Sequence, residues 1–290
     1  MNALEVRNLS KGYKNSSFKL DNVSLVVPKG NIVGLVGKNG VGKSTIINSI
    51  FDIIKKDSGD IIFYGELLSN DNKHLKNQIG VVFDTLAYSG EIKIKKLEKV
   101  LVDLYKDFDV NLFNSYIKRF DLPVDKKLKT FSRGMTMQLS IAVAISHGAK
   151  LLILDEATAG LDPVKREEIL DIFLEFIENE ENSILMSSHI TSDLEKVADY
   201  ITFIDNGKII FSDTKDNIIY NYGIARLKEA QFQQLKSSEY ISARKRGLQT
   251  EVLVSDKALF SKEYPSFIID NATLDEILPI VTKQTTKEGE

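Results

Sequence analysis

The chain has 290 residues, 41 acidic and 38 basic side chains and no cysteine, for a formal net charge of −3. That balance speaks against a nucleic-acid-binding surface, and the lack of cysteine excludes disulfides and thiolate metal sites, as suits a reducing compartment. No signal peptide is expected at the first residues, and no apolar run approaches the roughly 20 residues a spanning helix needs.

The length allows one main domain with a small appendage. Residues 4–27 read as alternating strand segments with turns at Lys11-Gly12 and Lys14-Asn15-Ser16, which predicts a small antiparallel sheet. The apolar run Ile32-Val33-Gly34-Leu35-Val36 then leads into GKNGVGKS at 37–44 and an apolar helix from Thr45. Gly37, Gly42, Lys43 and Ser44 fill every fixed slot of G-x-x-x-x-G-K-[ST]. Gly37, Gly40 and Gly42 let successive backbone N–H groups turn inward as an anion nest at a helix start. Lys43 places a charge on the β- and γ-phosphates, and the Ser44 hydroxyl suits Mg²⁺. Asn39 and Thr45, within and just after the loop, complete the nucleotide-contacting set. A plain glycine-rich turn is the competing interpretation, and strand, loop and helix in register disfavour it.

The strand at 79–83 ends on Asp84, whose carboxylate is expected at the edge where Mg²⁺ would lie. From Leu97 to Phe120 apolar residues recur at helical spacing, predicting a helical insert that carries FSRGM at 131–135. Leu151-Leu152-Ile153-Leu154 predicts a parallel strand covered on both faces. Asp155 ends it, positioned for the Mg²⁺ hydration shell, and Glu156 follows as general base for an attacking water. His189 ends another apolar strand, where it can orient that water and sense the γ-phosphate.

Beyond about residue 215 the pattern becomes β-α-β-β-α-β, compatible with a small ferredoxin-like module. It has a hairpin around Gly247, a last helix at 274–281 with Thr273 as cap, and a polar tail at 284–290. The run Arg244-Lys245-Arg246 reads as a solvated strand end or turn. No chemical motif lies here, so removing the module from about residue 217 is expected to leave the nucleotide site intact.

Taken together, these residues resemble the nucleotide-binding subunits of ABC transporters over roughly residues 1–215. Residues 37–44 look like Walker A, 151–156 like Walker B, 159–162 like the D-loop ending in Asp162, and His189 like the switch histidine. The resemblance implies that Tyr13 stacks on adenine, and that Ser132 and Gly134 of the signature loop meet the γ-phosphate of an opposite subunit. Two positions depart from the commonest pattern: Arg133 stands where the family usually has glycine, and Asp84 where it usually has glutamine. Both variants are similar to those of ABC-2-type exporter ATPases.

The implied architecture is α/β: a P-loop ABC ATPase domain at 1–215 with an antiparallel β subdomain and a helical signature subdomain (about 85–150), and a small α+β module at 216–290. The implied catalytic set is Glu156, His189 and Lys43, with Ser44, Asp84 and Asp155 around Mg²⁺ and ATP as substrate. Transmembrane permease subunits, a homodimeric or heterodimeric ATPase pair and a place on the cytoplasmic face of the membrane follow from the same resemblance, with no nucleic-acid partner. The cargo would be a peptide or other amphipathic substance. A soluble ABC-type ATPase with a non-transport target is the alternative. It is disfavoured because only one Walker A is present and 44–132 is too short for a long coiled coil.

Overall fold

The computed structural model describes all of the chain except residues 15, 70, 71, 84–87 and 283–290 and the side chain of Lys73. Asp84 therefore lies outside the described residues.

Strands β1 (Asn2–Gly12) and β2 (Lys19–Pro28) alternate buried and exposed side chains and pair antiparallel, Leu4 opposite Val27 and Val6 opposite Leu25. One face of this pair is apolar and meets the core; the other is solvated. β3 (Ile32–Val36) is buried at every residue and runs through the phosphate loop into α1 (Lys43–Ile50). β4 (Ser58–Phe63) and the short β5 (Glu66–Leu67) extend the first sheet in the order β2-β1-β4-β5.

After α2 (Lys73–Lys76) and β6 (Ile79–Val82) comes the helical insert. The apolar periodicity at 97–120 is broken into two helices, α3 (Ile94–Leu104) and α4 (Val110–Arg119). Asp109 makes the break: its carboxylate caps α4 by accepting from Leu112 N at 2.9 Å, while its own N–H donates to Ser146 O at 2.7 Å. A short 3-10 turn at Leu128–Thr130 leads to α5 (Arg133–Ser146), whose residues 137–146 are all buried.

β7 (Leu151–Asp155), α6 (Pro163–Ile177), β8 (Ser183–Ser188), α7 (Thr191–Val197), β9 (Tyr200–Asp205) and β10 (Lys208–Thr214) complete the central sheet. Its order is β10-β9-β3-β8-β7-β6, parallel except for β10. β3 and β8 are buried throughout, as strands with both faces covered must be. Register then decides what meets at the sheet's C-terminal edge. Val36 pairs with Ser188 and Asp155 with Ser187, so the phosphate loop, Glu156 and His189 all leave the sheet at one level.

The chain continues through α8 (Lys215–Asn221), β11 (Gly223–Lys228), α9 (Glu229–Phe232), β12 (Ser242–Arg246), β13 (Gln249–Val254), α10 (Lys257–Glu263), β14 (Ile269–Asn271) and α11 (Leu274–Val281). Strands β11 to β14 form an antiparallel sheet in the order β12-β13-β11-β14, the arrangement expected of a ferredoxin-like unit. Thr273 caps α11 by accepting from Glu276 N. Arg244 is not solvated as its surroundings in the sequence suggest. With Arg246 it pairs with the buried Glu251 across the hairpin, and the two guanidinium groups hold that carboxyl below its usual range against the cost of burial.

The module's own apolar cluster around Phe232, Val252 and Phe260 lies on one side of its sheet. On the other side Ile224, Leu253, Leu274, Ile277 and Ile280 join the same core as Leu194, Ile201 and Phe203 of the central layer.

Candidate functional site

A cleft of about 510 Å³ opens beside the phosphate loop, lined by Tyr13, Ser16, Phe18, Lys38, Asn39, Gly40, Gly42, Lys43, Ser44, Thr45 and Glu156. The loop can take its shape only with glycine at two positions. Gly42 has φ +118° and a Cβ there would lie 2.6 Å from Leu20 Cδ2; a Cβ on Gly37 would lie 2.5 Å from the backbone oxygen of Ile204. The start of α1 is thereby brought hard against β2 and β9.

Lys43 is 5% exposed, and its Nζ donates to the carbonyls of Gly37 at 2.6 Å and Lys38 at 3.2 Å. The same ammonium forms an ion pair with Glu156 Oε1 at 3.0 Å. The other carboxylate oxygen, Oε2, is 2.7 Å from His189 Nδ1. Glu156 thus joins the phosphate-loop lysine to the histidine at the end of β8. It is held there by an unusual backbone, φ +53°, and by hydrogen bonds from its N–H to the carbonyl (3.2 Å) and hydroxyl (3.1 Å) of Ser187. The Ser187 hydroxyl donates in turn to Asp155 Oδ1 at 2.6 Å.

Tyr13 is half exposed at the rim, its ring 6.4 Å from that of Phe18, with Lys11 Nζ 5.7 Å from the Tyr13 centroid. Lys38, also at the cleft, donates to Thr282 O at 3.3 Å. Its charge also draws on the Asp205 carboxyl at the end of β9, where burial pushes the pKa up and Lys38 opposes the rise.

Ser132, Gly134 and Asp162 do not line this cleft. Ser132 is the exposed cap of α5, its Oγ accepting from Met135 N at 3.2 Å, and Asp162 caps α6 by accepting from Lys165 N at 3.1 Å. The two turns lie side by side. A Cβ on Gly134 would meet Lys165 and Leu161, and one on Gly160 would meet the Arg133 guanidinium at 2.9 Å. Arg133 therefore packs on the 159–162 turn of its own chain.

A family profile described as "ABC transporter" matches residues 20–159. Over 214 residues the chain is 36% identical to the lantibiotic transport ATP-binding protein SrtF of Streptococcus pyogenes, covering 73% of this chain and 91% of that one. The chain belongs to the ABC transporter ATP-binding family. A second family relative, the ABC transporter ATP-binding protein YtrB of Bacillus subtilis (strain 168), is 34% identical over 206 residues, 71% of this chain and 70% of its own length. The solved structure of an ATP binding subunit of an ABC transporter superposes with a TM-score of 0.66 at 27% identity, covering 74% of this chain and 91% of that one. As a member of this family the chain binds and hydrolyses ATP.

The cassette thus collects Lys43, Glu156, Asp155 and His189 at one sheet edge, while Ser132, Gly134 and Asp162 stay outside the cleft lining. Motif reasoning missed Phe18 and Lys38 of the cleft and Ser187 behind it. Ser187 was readable only through register: it is the β8 residue opposite Asp155.

Proposed function

We propose that this cassette is the ATPase subunit of an exporter, acting as a homodimer or heterodimer on the cytoplasmic face of a membrane and powering separate transmembrane permease subunits. The convergence of Lys43 and His189 on one Glu156 carboxylate carries the reading. Lys43 would release Glu156 to hold the β- and γ-phosphates, freeing that carboxylate to take a proton from the attacking water. His189 would orient the pair. Tyr13 and Phe18 offer aromatic faces at the adenine end, and Asn39, Gly40, Ser44 and Thr45 line the phosphate end.

The oxygen donors at this end, the Ser44 hydroxyl and the Asp155 carboxylate, fit Mg²⁺, which keeps few protein ligands when phosphates supply the rest. Bound there, the cation would neutralise charge developing on the transferred phosphoryl group.

Because Ser132, Gly134 and Asp162 lie off their own cleft, their phosphate-contacting roles need a second subunit, which supports the sandwich arrangement. Among the described residues no helix is long and apolar enough to cross a membrane. The lantibiotic transporter relative supports a peptide or other amphipathic cargo.

Glu156→Gln tests the mechanism. The variant should bind ATP, lose about 100-fold or more in turnover and run as a dimer on size exclusion with ATP, whereas Lys43→Ala should not retain nucleotide. A Glu156→Gln protein that stays monomeric with ATP, even with its membrane partner present, overturns the sandwich.

A further inference from the structure

The C-terminal module reaches the nucleotide site through α11, at two points. The Thr191 hydroxyl donates to Asp275 Oδ1, and the carbonyl of Thr282, which ends α11, accepts from Lys38 of the phosphate loop at 3.3 Å. Thr191 is the first residue of α7, two positions after His189, and is itself buried. The residue at the cap position, Ile190, offers no side-chain cap, and the first turn carries an acid of its own, Asp193. The Asp275 carboxylate lies beside that turn, bonded to the Thr191 side chain, where negative charge interacts favourably with the helix dipole.

The surroundings make this contact stiff. α11 packs on α7, β9, β12 and β13 and places Leu274, Ile277, Ile280 and Val281 in the core shared with Leu194 and Val197 of α7. Arg226 of β11 holds the neighbouring Glu276 at 2.9 Å, and the Ser242 hydroxyl donates to Ile280 O at 3.1 Å. Asp275 is thus presented by a helix fixed at several points. His189, in contrast, is 44% exposed on its side chain, and its one side-chain partner among the described residues is Glu156.

We propose that Asp275 is a positioning residue for the hydrolytic site: through Thr191 the C-terminal module fixes the start of α7 and so the place of His189 against Glu156. The inference rests on the reading of Glu156 and His189 as the water-activating pair. It gives the module a role in turnover without any chemical group of its own in the cleft. The coupling runs through one buried hydroxyl and one exposed carboxylate, so Thr191→Val can cut it by exchanging a single heavy atom.

The test uses the full chain and steady-state hydrolysis of MgATP. Thr191→Val keeps the side-chain shape without the donor, and Asp275→Ala removes the acceptor. Each should lower kcat about tenfold or more with KM changed less than about twofold, since misplacement of a catalytic group by a fraction of an ångström to 1 Å is costly while phosphate contacts stay intact. Thr191→Ser and Asp275→Asn keep a donor and an acceptor oxygen and should stay within about threefold of wild type. The double variant Thr191→Val/Asp275→Ala should be no worse than the stronger single one, because both remove the same link. Amide hydrogen exchange at residues 189–192 should rise in Thr191→Val. Wild-type kcat in both single variants, losses that multiply in the double, or equal damage from Thr191→Ser and Thr191→Val would overturn the proposal. An active wild type with unchanged exchange in Thr191→Val sinks this inference alone. A folded wild-type chain without ATPase activity sinks the hydrolytic reading and this one with it.

Discussion

Glu156 sits in a backbone conformation that side chains avoid, at a cost of about 1 kcal/mol. The left-handed turn bends the chain just after β7, so that Asp155 points to Ser187 while Glu156 swings between Lys43 and His189. Ser187 supports both acids, donating to one and accepting from the N–H of the other. Ser187→Ala should therefore lower kcat about tenfold and stability by about 1 kcal/mol, because one acceptor of the Glu156 N–H, the Ser187 carbonyl, remains. Steady-state ATPase assays and a urea melt check this; an unaltered kcat would show that the turn holds itself. At this scale the sequence was most informative where function is local in the chain. The glycine spacing of 37–44 and the Asp-Glu pair after an apolar strand announce their chemistry within a few residues. Ser187, Phe18 and Lys38 do not, because their neighbours come from strand register and loop packing.

Among the elements, α5 has a start with two duties. Ser132 caps it in the isolated chain and is the residue we assign to the opposite subunit's phosphate. The duties separate by substitution. Ser132→Ala should cost about 1 kcal/mol of stability and also impair turnover, whereas Ser132→Asn should restore the cap without restoring turnover. Thermal melts paired with ATPase rates decide it, and full activity in the folded Asn variant would remove Ser132 from the phosphate contact. Element boundaries were legible where a cap or glycine marks them, as at Thr273 and the hairpin around Gly247. The break between α3 and α4 was not. Apolar spacing runs on through Leu104, yet that side chain is 64% exposed, and α4 starts afresh at Asp109, whose N–H is tied to distant Ser146.

For the molecule as a whole, the module from α8 onward is continuous with the cassette. Tyr222 stacks near Phe211, which lies against Phe203 of the central sheet, and the Tyr222 hydroxyl donates to Asp213 at 3.0 Å. The expectation that the nucleotide site stays chemically intact without the module is joined by a second one from the contacts of α11 with Lys38 and Thr191: turnover should still fall. A fragment of residues 1–216 loses several buried apolar side chains, each contributing about 1.5–3 kcal/mol, and the partner of Thr191. It should melt well below the full chain and hydrolyse ATP more slowly even where folded. Calorimetry and ATPase assays test this, and a fragment matching the full chain in both would make the module a passive appendage. The module's succession of strands and helices was readable from residue patterning. Its docking was not, because the apolar residues of α11 show which face is buried but not against what.

The place of Asp275 in the chain also has a meaning in time. During synthesis the phosphate loop, Glu156 and His189 all emerge well before the residue that pins Thr191. A nascent cassette can shape its nucleotide cleft early, but the helix that steadies its switch segment arrives only after the module's strands have been made. On the proposal above, a chain made only that far hydrolyses ATP more slowly than the finished one, and full turnover comes once α11 has docked on α7.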